Sequence, residues 1–134
     1  MTLKEFFRRD RFAALIGAEL TELGPGWARA RMLVEDRHLN GGDVCQGGAI
    51  FTLADLAYAA AVNSHGTLTL AISTNITYVK SARPGWLYAE AREVVDHRRV
   101  PFAEVRVTDE AGDLVAVFTS TAYRKQGHDL PTDE

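Results

Sequence analysis

The chain has 134 residues, 46% of them hydrophobic and 25% charged, with a net charge of −3 and a pI near 5.8. That size fits one soluble domain burying about two thirds of its unfolded surface, and the acidic balance argues against nucleic acid or an anionic membrane as partner. No run of 18 apolar residues exists, and Lys4, Glu5, Arg8, Arg9, Asp10 and Arg11 interrupt any signal-peptide core, so a cytoplasmic location is expected.

Thr2 and Glu5 have capping-box spacing, and Phe6, Phe7, Phe12, Leu15 and Ile16 predict a short N-terminal helix that buries them and stops at Gly17. The period then changes to two. Ala18 to Leu23, the Gly24-Pro25-Gly26 turn and Trp27 to Val34 read as a hairpin, with Ala28, Ala30, Met32 and Val34 on the inner face and Arg29 and Arg31 outside. A polar, glycine-bearing loop from Glu35 to Val44 leads into a helix that ends near Asn63-Ser64-His65-Gly66. Beyond it Leu68, Leu70, Ile72, Ile76 and Tyr78 alternate with Thr67, Thr69, Ser73, Asn75 and Thr77. Strands over Trp86 to Val95, Pro101 to Thr108 and Leu114 to Arg124 follow, the last two joined by a Glu110-Ala111-Gly112-Asp113 turn. One domain is expected over residues 1–125, and the polar residues 126–134 read as a disordered tail. The order is α+β: a curved antiparallel sheet wrapped around one long central helix, with any uncovered helix face left for another subunit.

Within that helix, from Ala49 to Val62, the side chains are apolar or aromatic except Thr52 and Asp55. A carboxylate there is either paired or kept for a ligand, because an unpaired buried charge costs several kcal/mol. The helix opens with Gln46-Gly47-Gly48. Its first N–H groups lack internal partners and sit at the positive end of the macrodipole, and two glycines let a ligand carbonyl approach them; alternatively the pair forms only a tight turn. Asp55 follows Gly48 by seven residues, about 10 Å along the same side, so one helix does not clamp one small reacting group with both. If two helices run side by side and antiparallel, the start of one falls beside Asp55 of the other.

The stretch His38-Leu39-Asn40, Gln46-Gly47-Gly48, Leu53-Ala54-Asp55 and Asn63-Ser64-His65-Gly66 resembles the hotdog-fold acyl-CoA thioesterases of the phenylacetic acid degradation (PaaI-like) type. Asn75-Ile76-Thr77-Tyr78 and Arg83-Pro84-Gly85 extend that resemblance over about residues 15–124. It implies the hotdog fold and hydrolysis of an acyl-CoA thioester, with an aromatic acyl group, in a homodimer that assembles into a homotetramer. It further implies that Asp55 is nucleophile or base, that Gly48 supplies the backbone N–H for the thioester oxygen, and that Asn40 polarises the thioester or holds water. Gln46 stands where the family most often has histidine; an amide donates a hydrogen bond but does not titrate. Ala71 stands where some relatives carry a hydroxyl, which Ser73 or Thr74 would then supply.

A thioester is activated enough for carboxylate-assisted attack without metal or cofactor, CoA entering only as part of substrate and product. Lys80, Arg83, Arg98 and Arg99 are candidates for its phosphates, or else plain surface charges. Gly47 and Tyr58, the latter one turn from Asp55, are candidates for the acyl site, against a packing role for Tyr58, Trp27 and Trp86. His38, His65, His97 and His128 show no metal-ligand spacing, although His38 stands beside Asn40; lone Cys45 lacks a neighbouring base and forms no internal disulfide. The competing readings are a non-catalytic acyl-CoA sensor, motivated by the missing histidine, and a hydratase, which would need a His or Asp-His pair at the cleft.

Overall fold

In the computed structural model, which describes residues 1–131, α1 (Leu3–Phe7) and α2 (Arg11–Leu15) precede β1 (Ala18–Gly24) and β2 (Trp27–Val34). A 3₁₀ turn at Asp36–His38 leads to α3 (Gly47–Asn63), followed by β3 (Thr67–Tyr78), β4 (Gly85–Val95), β5 (Phe102–Asp109) and β6 (Leu114–Asp129). All six strands form one antiparallel sheet in the order β1-β2-β4-β5-β6-β3, packed around α3. This is the hotdog arrangement expected above.

Small side chains on both partners let helix and sheet approach closely. Ala54, Ala57, Ala60 and Ala61 of α3 are fully buried, as are Ala28 and Ala30 on β2, Ala89 and Ala91 on β4 and Ala103 on β5. Phe118 packs against Phe51 and Tyr58, with ring centroids 5.3 and 5.5 Å away. The helix is closed on every side but one. Gly48, Thr52, Asp55 and Ala59, at i, i+4, i+7 and i+11, keep their exposure and form a single stripe.

Three expectations are corrected. The N-terminal helix is two helices, because the Asp10 carboxylate caps a new start by accepting the Ala13 N–H at 3.0 Å. Leu3 and Ala13 are the buried positions, while Phe12 and Leu15 lie outside at 59% and 67% exposure. On β3 the alternation does not run through: a bulge between Ala71 and Ser73 flips the faces, so Thr69 before it and Thr74 and Ile76 after it turn inward. Leu70 and Ile72 therefore face outward, on an edge strand paired only with β6. The tail expected from Gln126 is instead β6 as far as Asp129, because Thr67 pairs with Asp129 and the Leu130 N–H donates to Gly66 O at 2.7 Å. Of that expected tail, residues 132–134 lie outside the described residues.

Asn63 fastens the end of α3 to the start of β3. Its amide donates to Ala59 O (2.7 Å) and Thr69 O (3.0 Å), and its Oδ1 accepts the Thr69 N–H (2.7 Å), the two bonds to Thr69 being buried. Asn63→Leu leaves buried backbone groups unsatisfied at about 1–3 kcal/mol each. Urea unfolding should show a loss of about 2–4 kcal/mol; a loss under about 0.5 kcal/mol would remove Asn63 as the fastener.

Candidate active site

Gln46 is the N-cap of α3, and its Oε1 folds back to accept the Gly48 N–H at 2.6 Å. The Gln46 backbone oxygen accepts the Ala49 N–H at 3.0 Å. Among the described residues the Gly47 N–H has no partner. Of the donors every helix start leaves over, Gly48 is thus closed by the chain's own side chain and Gly47 is open. This departs from the expectation for Gly48, and the reason is the length of a glutamine side chain, which reaches the amide two residues on.

The loop before the helix is held from several directions. His38 is 4% exposed; its Nδ1 accepts the Glu35 N–H at 2.9 Å and its Nε2 donates to Ile16 O at 2.6 Å, which assigns the Nε2–H tautomer. Its backbone oxygen accepts the Gln46 N–H at 2.8 Å. Both ring nitrogens are committed, so His38 is a loop anchor. Asn40 Oδ1 accepts from Gly42 N (2.8 Å) and Val44 N (3.4 Å), leaving its exposed amide NH₂ as the group that can meet a ligand.

Two grooves flank this helix start. One, of about 480 Å³, lies between α2, the loop and α3 and is lined by Phe12, Ile16, Leu39, Gln46, Gly48, Ala49 and Thr52 among others. The other, of about 350 Å³, runs toward the end of β3 and is lined by Val44, Cys45, Gly47, Ile50, Tyr78 and Lys80 among others.

Asp55 sits further along the exposed stripe, half-buried, with no hydrogen bond or ion pair among the described residues. Desolvation pushes its carboxyl above the ordinary aspartate range, and the nearby Asp10 carboxylate adds to that. Among the described residues no serine, threonine or backbone group of its own protomer satisfies this carboxylate.

The thioesterase superfamily model matches residues 42–116, a span holding the helix start, Asp55, the strands β3, β4 and β5 and the first residues of β6. The chain belongs to the thioesterase superfamily. It is a thioester hydrolase. It is 42% identical over 127 residues to a protein of Archaeoglobus fulgidus named only as a candidate esterase, covering 94% of this chain and 82% of that one. It is 29% identical to the Escherichia coli acyl-coenzyme A thioesterase PaaI, covering 90% of this chain and 87% of that one. The structure of E. coli PaaI superposes with a TM-score of 0.89 at 27% identity, over 92% of this chain and 91% of the other. A Streptococcus mutans protein bound to acetyl CoA superposes with a TM-score of 0.80 at 26% identity, over 84% and 92% of the two chains.

The remaining candidates in this thioesterase separate clearly. Tyr58 is 1% exposed against Phe118, in the core and not on an open acyl site, and among the described residues its hydroxyl makes no hydrogen bond; Ser120 is near enough to affect the phenol but outside bonding geometry. Thr74 Oγ1 and Ser120 Oγ lie 2.8 Å apart, whereas Ser73 is exposed. Lys80 is held by Asp109 (2.6 Å) and Asp113 (2.7 Å), so its charge is already offset before any phosphate arrives. Arg83 is exposed and forms no ion pair among the described residues. It lines a third groove with Trp86 and Glu110.

Arg98 and Arg99 stand in the β4–β5 loop beside the end of α3, about 25 Å by helical rise from Gly47 of the same protomer. Within one protomer they do not reach this helix start. Cys45 is buried and its thiol is pushed up to about 11 by desolvation, which leaves almost no thiolate at neutral pH. His65, Glu93 and Asp96 bring one ligand atom each within 4.8 Å of one another. Arg124 lies 3.0 Å from Asp96 and 3.8 Å from Glu93, so these groups form an ion-pair cluster tying β4 and β6 to the end of α3. Sequence reasoning missed Tyr78 as part of the site: its hydroxyl donates to Gly47 O at 2.8 Å, a contact across 31 residues that no local pattern announces.

Burial favours the neutral Asp55 carboxyl, so the folded state loses stability as pH rises through its titration. Asp55→Asn stays neutral throughout. Thermal melts should therefore place Asp55→Asn above the parent at pH 7.5, with the gap narrowing as pH falls toward the free aspartate value of about 3.9. Equal melting temperatures at pH 7.5 would contradict an uncompensated carboxylate.

Proposed function

We propose that this thioester hydrolase is an acyl-CoA thioesterase whose working unit is a homodimer, assembled further into a homotetramer, with Asp55 as its catalytic carboxylate. The observation that carries the reading is the unpartnered, half-buried Asp55 on the uncovered stripe of a helix whose start holds an open donor, the Gly47 N–H. The relationship to E. coli PaaI, an acyl-coenzyme A thioesterase, and the acetyl CoA bound by the S. mutans homologue support the substrate class. An aromatic acyl group follows from the resemblance to the phenylacetic acid degradation type, and the apolar walls Phe12, Ile16 and Leu39 suit one.

In this mechanism two α3 helices lie antiparallel, so Asp55 of one subunit faces the helix start of the other. The Gly47 N–H, not the Gly48 N–H, receives the thioester oxygen, because Gln46 already occupies the latter. Such a donor contributes roughly a hundred- to a thousandfold in rate. Asp55 takes a proton from water as the oxygen attacks the thioester carbon. Collapse of the tetrahedral intermediate breaks the C–S bond, and the thiolate leaves with the proton that Asp55 held, giving free acid and CoA. Attack by the carboxylate itself is the other route open to the same residue. Asn40, through its free amide NH₂, orients the water or the carbonyl, and Ser73 or Thr74 lies along β3 for the acyl group. Arg83 meets the CoA phosphates from its own protomer, with Arg98 and Arg99 arriving from the partner. No metal enters.

Replacing Asp55 with Ala should leave a folded oligomer whose CoA release from aryl, short and medium acyl-CoA esters falls at least about a hundredfold. Unchanged turnover would sink the assignment, and binding of these esters by the parent without any hydrolysis would favour the sensor reading. The acid limb of kcat/KM should lie above the free aspartate value of about 3.9, since the ionised form is the active one and burial delays ionisation. A limb at or below that value would remove Asp55 as the titrating group.

A further inference from the structure

Gly47 and Gly48 are the least constrained residues of the chain's backbone at the point where a hydrogen-bond donor has to be held still. Glycine samples more φ/ψ space than any other residue, so a donor built on two of them is diffuse unless something outside the helix fixes it. Gln46 holds the Gly48 amide. The other contact comes from β3. The Tyr78 hydroxyl donates to Gly47 O at 2.8 Å, and a Cβ built on Gly47 would meet Tyr78 Cζ and Oη at 3.0 Å, so the phenol ring lies directly against the Gly47 α-carbon.

We propose that Tyr78 is a positioning residue for thioester hydrolysis, fixing the Gly47 backbone so that its N–H is aimed at the substrate oxygen. The inference rests on the helix start being the oxyanion site. The peptide unit is planar, so a hydroxyl that holds the Gly47 carbonyl also sets the orientation of the Gly47–Gly48 plane. The ring contact holds the Gly47 α-carbon, to which the Gly47 nitrogen is bonded, and the Gln46–Gly47 plane that carries the N–H is held on its other side by the Ala49 N–H, which donates to Gln46 O at 3.0 Å. A Cβ at position 47 would crowd the phenol at 3.0 Å and make the ring give way by a few tenths of an ångström. It also assigns a role to a tyrosine left 47% exposed, where phenylalanine would supply the same ring without the bond.

A bond that orients the donor acts on the transition state more than on substrate binding, so its loss appears in kcat. Tyr78→Phe keeps the ring and removes only the hydroxyl. Its kcat should fall about five- to tenfold, the fold-change of one modest hydrogen bond, with KM for an acyl-CoA ester within about twofold. The melting temperature and oligomeric state should match the parent. In an amide ¹H–¹⁵N spectrum the Gly47 and Gly48 resonances should shift while those of the β1–β2 hairpin stay in place. A folded Tyr78→Phe enzyme with parental kcat, or one whose only change is in KM, overturns the proposal. Tyr78→Trp, which keeps an aromatic ring but not the phenol geometry, should show the same kcat loss and tests the same claim if Tyr78→Phe folds poorly; parental kcat in a folded Tyr78→Trp enzyme overturns it equally. Asp55→Ala run beside it separates the two claims: a dead Asp55→Ala with a parental Tyr78→Phe removes only the role of Tyr78, whereas an active Asp55→Ala removes the site itself.

Discussion

The contact on which the structure depends is the close seating of α3 on the concave face of the sheet. It is possible because alanine meets alanine there: Ala54, Ala57, Ala60 and Ala61 from the helix against Ala28, Ala30, Ala89, Ala91 and Ala103 from the strands. Small side chains bring backbones together and bury apolar surface without demanding rotamer order. The consequence reaches both ends of the helix. At the far end Asn63 and the His65 cluster tie it to β3, β4 and β6, and at the near end Gln46 and Tyr78 define the geometry of its first turn. With three sides of the helix spent on packing, the fourth is the one place where a polar group can be presented. Asp55 occupies it.

Much of this architecture is legible in the sequence because it is written in local signals. The capping box at Thr2 and Glu5, the inward alternation of Ala28, Ala30, Met32 and Val34, and the Gly-Gly start of a long apolar helix each describe a few neighbouring residues, and each holds in the structure. The expectations that fail depend on partners further away. Asp10 is an N-cap only because the chain bends there, and the bulge in β3 becomes visible only when Ala71 and Ser73 are set against Thr121 and Ala122 of β6. The polar end of β6 resembles a disordered tail because the strand that pairs with it begins some sixty residues earlier.

The candidate site divides in the same way. Asp55, Gln46 and the glycine pair are adjacent along one helix and are found by reading it. Which glycine offers the open amide depends on a side-chain rotamer of Gln46, and no pattern of residue types contains that. The same holds for charge: Lys80 reads as a free cation until the β5–β6 turn places Asp109 and Asp113 against it. Tyr78 escapes a local reading because its partner is a backbone atom 31 residues away.

Several features of the isolated protomer are unfavourable taken singly. An unpaired carboxylate on α3, two glycines in its first turn, and Leu70 and Ile72 turned outward on an edge strand at 53% and 63% exposure each cost stability or invite association. They are not scattered. Asp55 and Gly48 share the uncovered stripe of α3, with Gly47 next to it in the first turn, and β3, whose far end carries Tyr78, leads to the same helix start. In the proposed dimer one event would relieve them together, because a second copy lying along this edge covers the apolar side chains and sets its own helix beside Asp55. The carboxylate would then gain a water and a thioester to act on rather than a salt-bridge partner. In the proposed mechanism this charge without a partner in the fold is kept for the substrate, and that distinguishes Asp55 from the other carboxylates of this chain that the structure brings close to a cation.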